Sequence, residues 1–170
     1  MYRYRVTKYN PFFRDSNGIY LNDEWTSVYD VISLECKYSF ENYMIIENEY
    51  VKMVELLVKH LESGEIKFIH FEEGLSVDQI REYQKKYFVN ENEYMLELYN
   101  RICNNMSIQN NCELTILVRM ILREYLWGEI KVGKNKIKFG YDYYMYFITQ
   151  KDCFEFLENN SGNYMFIEKM

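Results

Sequence analysis

"EIKVGKNKIKFGYDYYMYFI", residues 129–148, is where the chain changes period. Residues 129–132 and 136–139 flank Gly133-Lys134-Asn135 and read as a β-hairpin, and residues 143–148 read as a nearly continuous aromatic strand. Residues 151–159 follow as a short helix with Phe154 and Leu157 inward, and residues 164–167 as a closing strand. At the other end of the chain, Tyr2, Tyr4 and Val6 alternate with Arg3, Arg5 and Thr7, the period of a half-buried strand. Left alone, that strand would be an unpaired edge. It is therefore expected to pair with a strand of the last 40 residues, and not with residues 66–71 alone.

Between the two ends the period is helical. Tyr43, Ile46, Tyr50, Met53, Val54, Leu57 and Leu61 fall on one face of a helix over 40–61, opposite Asn48, Lys52, Glu55, Lys59 and Glu62. Gly64 closes it, and residues 66–71 form a candidate strand. Ser27 with Asp30, and Ser76 with Gln79, are capping boxes that open a short helical turn and a helix to Tyr87. Another helix is expected from Glu91 to Cys103. Residues 112–127 are apolar almost all round, apart from Thr115, Arg119 and Arg123, and predict one central helix in which Leu117 and Ile121 are buried. The fold class is α+β: one domain over 1–170, mainly an antiparallel sheet of the C-terminal strands plus the N-terminal strand, with the helical middle packed against it.

Composition narrows the function classes. Apolar residues make up 48% and charged residues 27%, within the globular range. The net charge is −6, and no run of Lys or Arg exceeds Lys85-Lys86. A protein that tracks a nucleic-acid backbone needs a basic face, so no nucleic-acid partner is expected. No apolar stretch is long enough to span a bilayer and no leader pattern opens the chain, which predicts a cytoplasmic protein without a membrane partner. Cys36, Cys103, Cys112 and Cys153 form no C-x-x-C pair and read as free thiols. The 18 Tyr accompany 16 Asn and many Ile and Lys, a composition that AT-rich coding also produces.

Few residues suggest chemistry. Glu35-x-Lys37, Glu65-x-Lys67 and Glu129-x-Lys131 resemble half of a metal-dependent nuclease site, but chance explains their number and the further carboxylates are missing. "GEIK" occurs at 64–67 and 128–131, each read as a helix-to-strand turn and not as a repeat. His60 suits a helix C-terminus and His70 a partly buried strand position, and neither has a cysteine nearby to complete a zinc site. Arg119 and Arg123, one turn apart, suit either a phosphate or carboxylate ligand or the acids of a neighbouring helix. The second is expected, because no Gly-rich phosphate loop is present. No catalytic, cofactor or metal residue is assigned.

Two stretches place acids beside aromatic rings: 9–27, with Asp23-Glu24-Trp25, and 140–144, with Tyr141-Asp142. Pairing of the terminal strands would bring them together as one surface, with the long loop anchored by Trp25 and by Phe12 or Phe13. Its recognition residues are expected to be Tyr20, Asp23, Glu24, Tyr141 and Asp142.

Residues 4–11 (YRVTKYNP), Asp23-Glu24-Trp25-Thr26-Ser27 with Asp30, and residues 139–146 (FGYDYYMY) resemble a group of small uncharacterised bacterial proteins. In size and acidity these are similar to immunity proteins, which neutralise secreted or contact-delivered toxins. The resemblance implies no catalytic residue. Together with the acidic charge, it points to an intracellular binding protein that neutralises a basic toxin through an acidic, tyrosine-rich surface. The alternatives are an enzyme of unrecognised type, such as a metal-dependent nuclease or hydrolase, and a regulatory or structural interaction module.

Overall fold

A computed structural model describes residues 1–33, 37–61, 64–89 and 93–170. Glu35, Cys36, Glu62 and the expected helix start at Glu91 lie outside the described residues. In chain order the elements are β1 (Tyr2–Thr7), α1 (Val28–Ile32), α2 (Phe40–Leu61), β2 (Ile66–Glu73), α3 (Val77–Tyr87), α4 (Tyr94–Arg101), β3 (Met106–Ser107), α5 (Asn111–Leu122), β4 (Leu126–Val132), β5 (Asn135–Phe139), β6 (Met145–Thr149), α6 (Phe154–Asn160) and β7 (Phe166–Lys169). Among the described residues, seven strands form one antiparallel sheet in the order β3-β2-β4-β5-β6-β1-β7. The protein is α+β. As expected, β1 pairs with strands of the C-terminal region, β6 and β7.

The register explains where the core lies. Tyr4, Phe147, Ile137, Ile130 and Phe68 stand opposite one another across five strands, and all are buried. Because side chains alternate along a strand, this row defines the inner face of the sheet. One hydrophobic cluster joins it to Tyr50, Val54 and Leu57 of α2 and to Leu117 and Ile121 of α5. Gly128 belongs to the same packing: a Cβ there would come within 2.3 Å of the Phe68 ring. Both capping boxes are formed, at Ser27 with Asp30 and at Ser76 with Gln79.

Several expectations need correction. The apolar run 112–127 is not one helix: α5 ends at Leu122, and Leu126 and Trp127 open β4. The amide of Glu124 donates to the Ile121 carbonyl and that of Tyr125 to the Met120 carbonyl, the bonding pattern of a Schellman stop. Glu124 takes the left-handed position of that stop at φ 58°, where glycine is usual. The apolar residues continue because a buried strand follows directly. The second GEIK copy accordingly lies inside β4 and not in a turn.

The aromatic strand starts at Met145 instead of Tyr143, because Asp142 and Tyr143 both have left-handed φ, 58° and 59°, which breaks the pleat. The last helix and strand each begin two or three residues later than expected, and the two-residue strand β3 was not foreseen. His70 is exposed, with φ 57°, at the irregularity where β2 slips against β4. Cys103, Cys112 and Cys153 are free. No helix among the described residues is long and apolar enough to cross a membrane.

Candidate binding face

The loop after β1 is held from below by a buried polar chain. The Lys8 amide donates to the Tyr50 hydroxyl at 2.9 Å, and that hydroxyl lies 2.5 Å from the Tyr143 carbonyl. The Tyr143 hydroxyl lies 2.8 Å from that of Tyr43, which in turn donates to Glu47 at 2.8 Å. Glu47 is fully buried in α2, within the apolar stripe, and also accepts from Arg119 at 2.6 Å and from Arg123 at 2.7 and 2.8 Å. Arg119 of α5 and Arg123 at its C-terminal end therefore pair with an acid of a neighbouring helix, the arrangement expected over ligand binding. Arg123 is itself buried, with its guanidinium 3.7 Å from the Phe88 ring centroid. Burial pushes the Tyr43 and Tyr143 phenols well above their ordinary range, so both stay neutral.

Trp25 anchors the loop as expected: it is buried and meets Tyr143 edge-on at 4.7 Å. Phe12 and Phe13 are exposed, so neither is the second anchor. That role falls to Lys8 and Tyr9. The Lys8 ammonium lies 4.0 Å from the Tyr9 ring, 4.2 Å from the Trp25 ring and 2.9 Å from Glu24. Burial holds its pKa below the ordinary lysine value, against the opposing pull of Glu24. A lysine next to an acid and an aromatic was a weak sequence signal. Nothing local indicated that its head would be enclosed.

The five expected recognition residues divide into three groups. Tyr20 and Glu24 are bonded to each other at 2.5 Å, and the Tyr20 ring packs on Tyr9 at 4.8 Å. Asp142 belongs with them, since its charge and that of Glu24 both act on the Tyr9 phenol, and Tyr144 packs on the same ring at 5.3 Å. Tyr141 is 79% exposed and leans on Trp127 at 5.6 Å. Asp23 points elsewhere: it is bonded to Lys37 and, at 2.7 Å, to Tyr38, and these bonds hold its carboxyl below the usual carboxylate range.

Glu124 is the residue that the sequence reading missed. Its carboxyl is pushed up, first by burial and then by the charges of Asp30 and Asp142. Asp30 is occupied by the Thr26 and Ser27 amides at 2.7 and 3.1 Å. Among the described residues, the carboxylates of Glu124 and Asp142 have no cationic or hydrogen-bonding partner. The crevice between them, also lined by Leu122, Trp127 and Tyr144, is only about 20 Å³, room for one water. The helical period running through 112–127 hid Glu124, since it placed residue 124 in mid-helix.

Titratable groups also gather in a groove at α6, lined by His60, Asp152, Phe154 and Lys169. There Asp152 accepts from the Tyr4 hydroxyl at 2.7 Å, the Phe154 amide at 2.9 Å and Lys169 at 3.2 Å, while His60 stacks on Phe156 at 3.9 Å. Burial pushes the neighbouring Cys153 thiol up, away from the reactive thiolate. Among the described residues, no group of three or more His, Cys, Asp or Glu is placed to hold a metal ion. Searches for a matching protein family, curated protein or solved structure found none for this chain.

Proposed function

We propose that the chain is an intracellular binding protein of the immunity or inhibitor kind, which takes a basic partner such as a toxin on the face formed by residues 8–27, Glu124 and 140–144. The observation that carries this reading is the placing of Glu124 and Asp142. Both are non-glycine residues at φ 58°, and the charge of Asp142 helps to push the Glu124 carboxyl up. Left-handed backbone costs roughly 1–2 kcal/mol per such residue, and like charges add repulsion. A cationic side chain entering between them would relieve that repulsion, with Tyr20, Tyr141 and Tyr144 supplying contact area at low entropic cost.

The test uses the product of the neighbouring gene as partner and compares association of the wild type with that of an E124Q/D142N variant. Glu24 is left intact because it holds Lys8. The variant is expected to associate several-fold more slowly at low salt, with the difference shrinking as salt rises. Equal association rates at low salt with a partner that binds the wild type would overturn the reading.

A further inference from the structure

The outer face of the sheet carries a charge pattern opposite to that of the whole chain. Register places Arg3, Ile148, Lys136, Lys131 and Lys67 in one row across β1, β6, β5, β4 and β2. The next row, two residues along, is Arg5, Tyr146, Lys138, Glu129 and Ile69. Both rows alternate with the buried Tyr4-to-Phe68 row and so point away from the helices. The lysine side chains at 67, 136 and 138 are 38–41% exposed, and Lys131 is exposed. Lys67, Lys131 and Lys136 stand directly opposite one another, about 4.8 Å apart from strand to strand.

Like charges directly opposite destabilise a sheet. Glu65 pairs with Lys67 at 3.0 Å, and Glu129 serves Lys138 at 2.7 Å and Lys136 at 3.7 Å. Among the described residues, Lys131, in the middle of the row, makes no direct salt bridge, although Glu65 feels its charge. In a chain of net charge −6, these two rows hold six cations against Glu129, with Glu168 of β7 bonded to Arg5 at 2.7 and 2.8 Å at one end and Glu65 bonded to Lys67 at the other. A row of charges at strand spacing suits a ligand with repeated anions better than a single anion. Partly buried Tyr146, between Arg5 and Lys138, offers a ring edge and face on which a base can stack. Among the described residues, both rows lie on strands of one sheet, and neither includes a helix of the kind that enters a duplex groove.

We propose that the open face of the sheet binds single-stranded nucleic acid, with phosphates along Lys67, Lys131 and Lys136 and a base on Tyr146. Lys67, Lys131, Lys136 and Tyr146 are not among the residues of the acidic face, although Arg5 of the second row lies 5.7 Å from the Tyr144 ring, and either proposal can fail without the other.

The test is fluorescence anisotropy of the full chain with a labelled single-stranded uridine oligonucleotide of about 20 nucleotides at about 50 mM salt. Micromolar binding is expected, the range of sequence-independent contacts. K67Q/K131Q/K136Q should weaken it at least tenfold and flatten the salt slope by about 2, at roughly 0.7 per phosphate on a single strand. Y146L should weaken it roughly 5- to 150-fold, the equivalent of about 1–3 kcal/mol per stacked base, and leave the slope unchanged. E124Q/D142N, at positions outside both rows, should leave it unchanged. Circular dichroism checks that each variant is folded, and single substitutions at Lys131 and Tyr146 replace any that is not. Absence of binding, equal binding of a duplex of the same length, or a Y146L variant that binds like wild type while oligoglutamate displaces the strand would overturn the proposal. The last outcome would mark the face as one for an acidic protein.

Discussion

The acidic face and the basic sheet face differ in how they are built. The acids stand on loops and helix ends, two of them on left-handed backbone, and are wired to the core through Lys8, Tyr50, Tyr143, Tyr43 and Glu47. The lysines stand on regular strands and are positioned by register alone. An irregular face is coupled to global stability through its buried supports, whereas substitutions on an open strand face are felt locally. The two faces should therefore respond very differently to perturbation.

The largest effect should come with alkaline pH. Burial raises the phenols of Tyr43, Tyr50, Tyr143 and Tyr9 beneath the acidic face, and Tyr4 and Tyr20 are pushed up to about 12. The folded chain retains these protons, while the unfolded chain releases them near its ordinary value of 10.0. Stability from this source is complete below pH 10 and is lost as pH climbs from there through 12. Denaturant melts should be flat up to about pH 9 and fall steeply above pH 10, with amides of 140–144 exchanging before those of the β4–β5 hairpin. Equal protection of the two segments would break the contrast between the faces.

Next in size is Glu47→Ala. It leaves Arg123 buried without its carboxylate and removes the acceptor of the Tyr43 hydroxyl. The expected loss is about 3–5 kcal/mol in urea melts. A loss below about 1 kcal/mol would show that the network adds little stability.

Glu124→Gly sharpens the comparison further, because here stability and the proposed binding should move in opposite directions. Glycine accepts φ 58° without a Cβ penalty, so the variant should melt at higher denaturant by about 1 kcal/mol while associating more slowly with a basic partner. The smallest effect belongs to the sheet: Lys131→Thr removes the central like charge and adds a β-branched residue, and should be neutral or stabilising by about 0.2–1 kcal/mol.

How much of this was legible in the chain follows from the range of the interactions. Helix α2 reads from its stripe and α3 from its capping box, because helix stripes and caps are set within a few residues. The acid-aromatic stretches are contiguous and could be singled out, and pairing of the terminal strands brought them together. Glu124 and Glu47 escaped notice for physical reasons. Leu126 and Trp127 are as apolar in a buried strand as they would be in a helix, so the end of α5 was masked. Glu47 lies within the apolar stripe of α2, where Arg119 and Arg123, distant in the chain, together with Tyr43 make its burial tolerable.

The sequence by itself determined the α+β class, the period and caps of the principal helices, the acidic balance of the chain, and the pairing of its first strand with its last ones. Only the tertiary structure decided that Lys131 and Lys136, 64 and 69 residues further along the chain, stand in one row with Lys67. The same holds for Glu124 facing Asp142 and for the two arginines sharing Glu47. Local pattern sets which face of an element is apolar. Strand order and register, fixed by hydrogen bonds between distant segments, set which polar residues become neighbours on the other face.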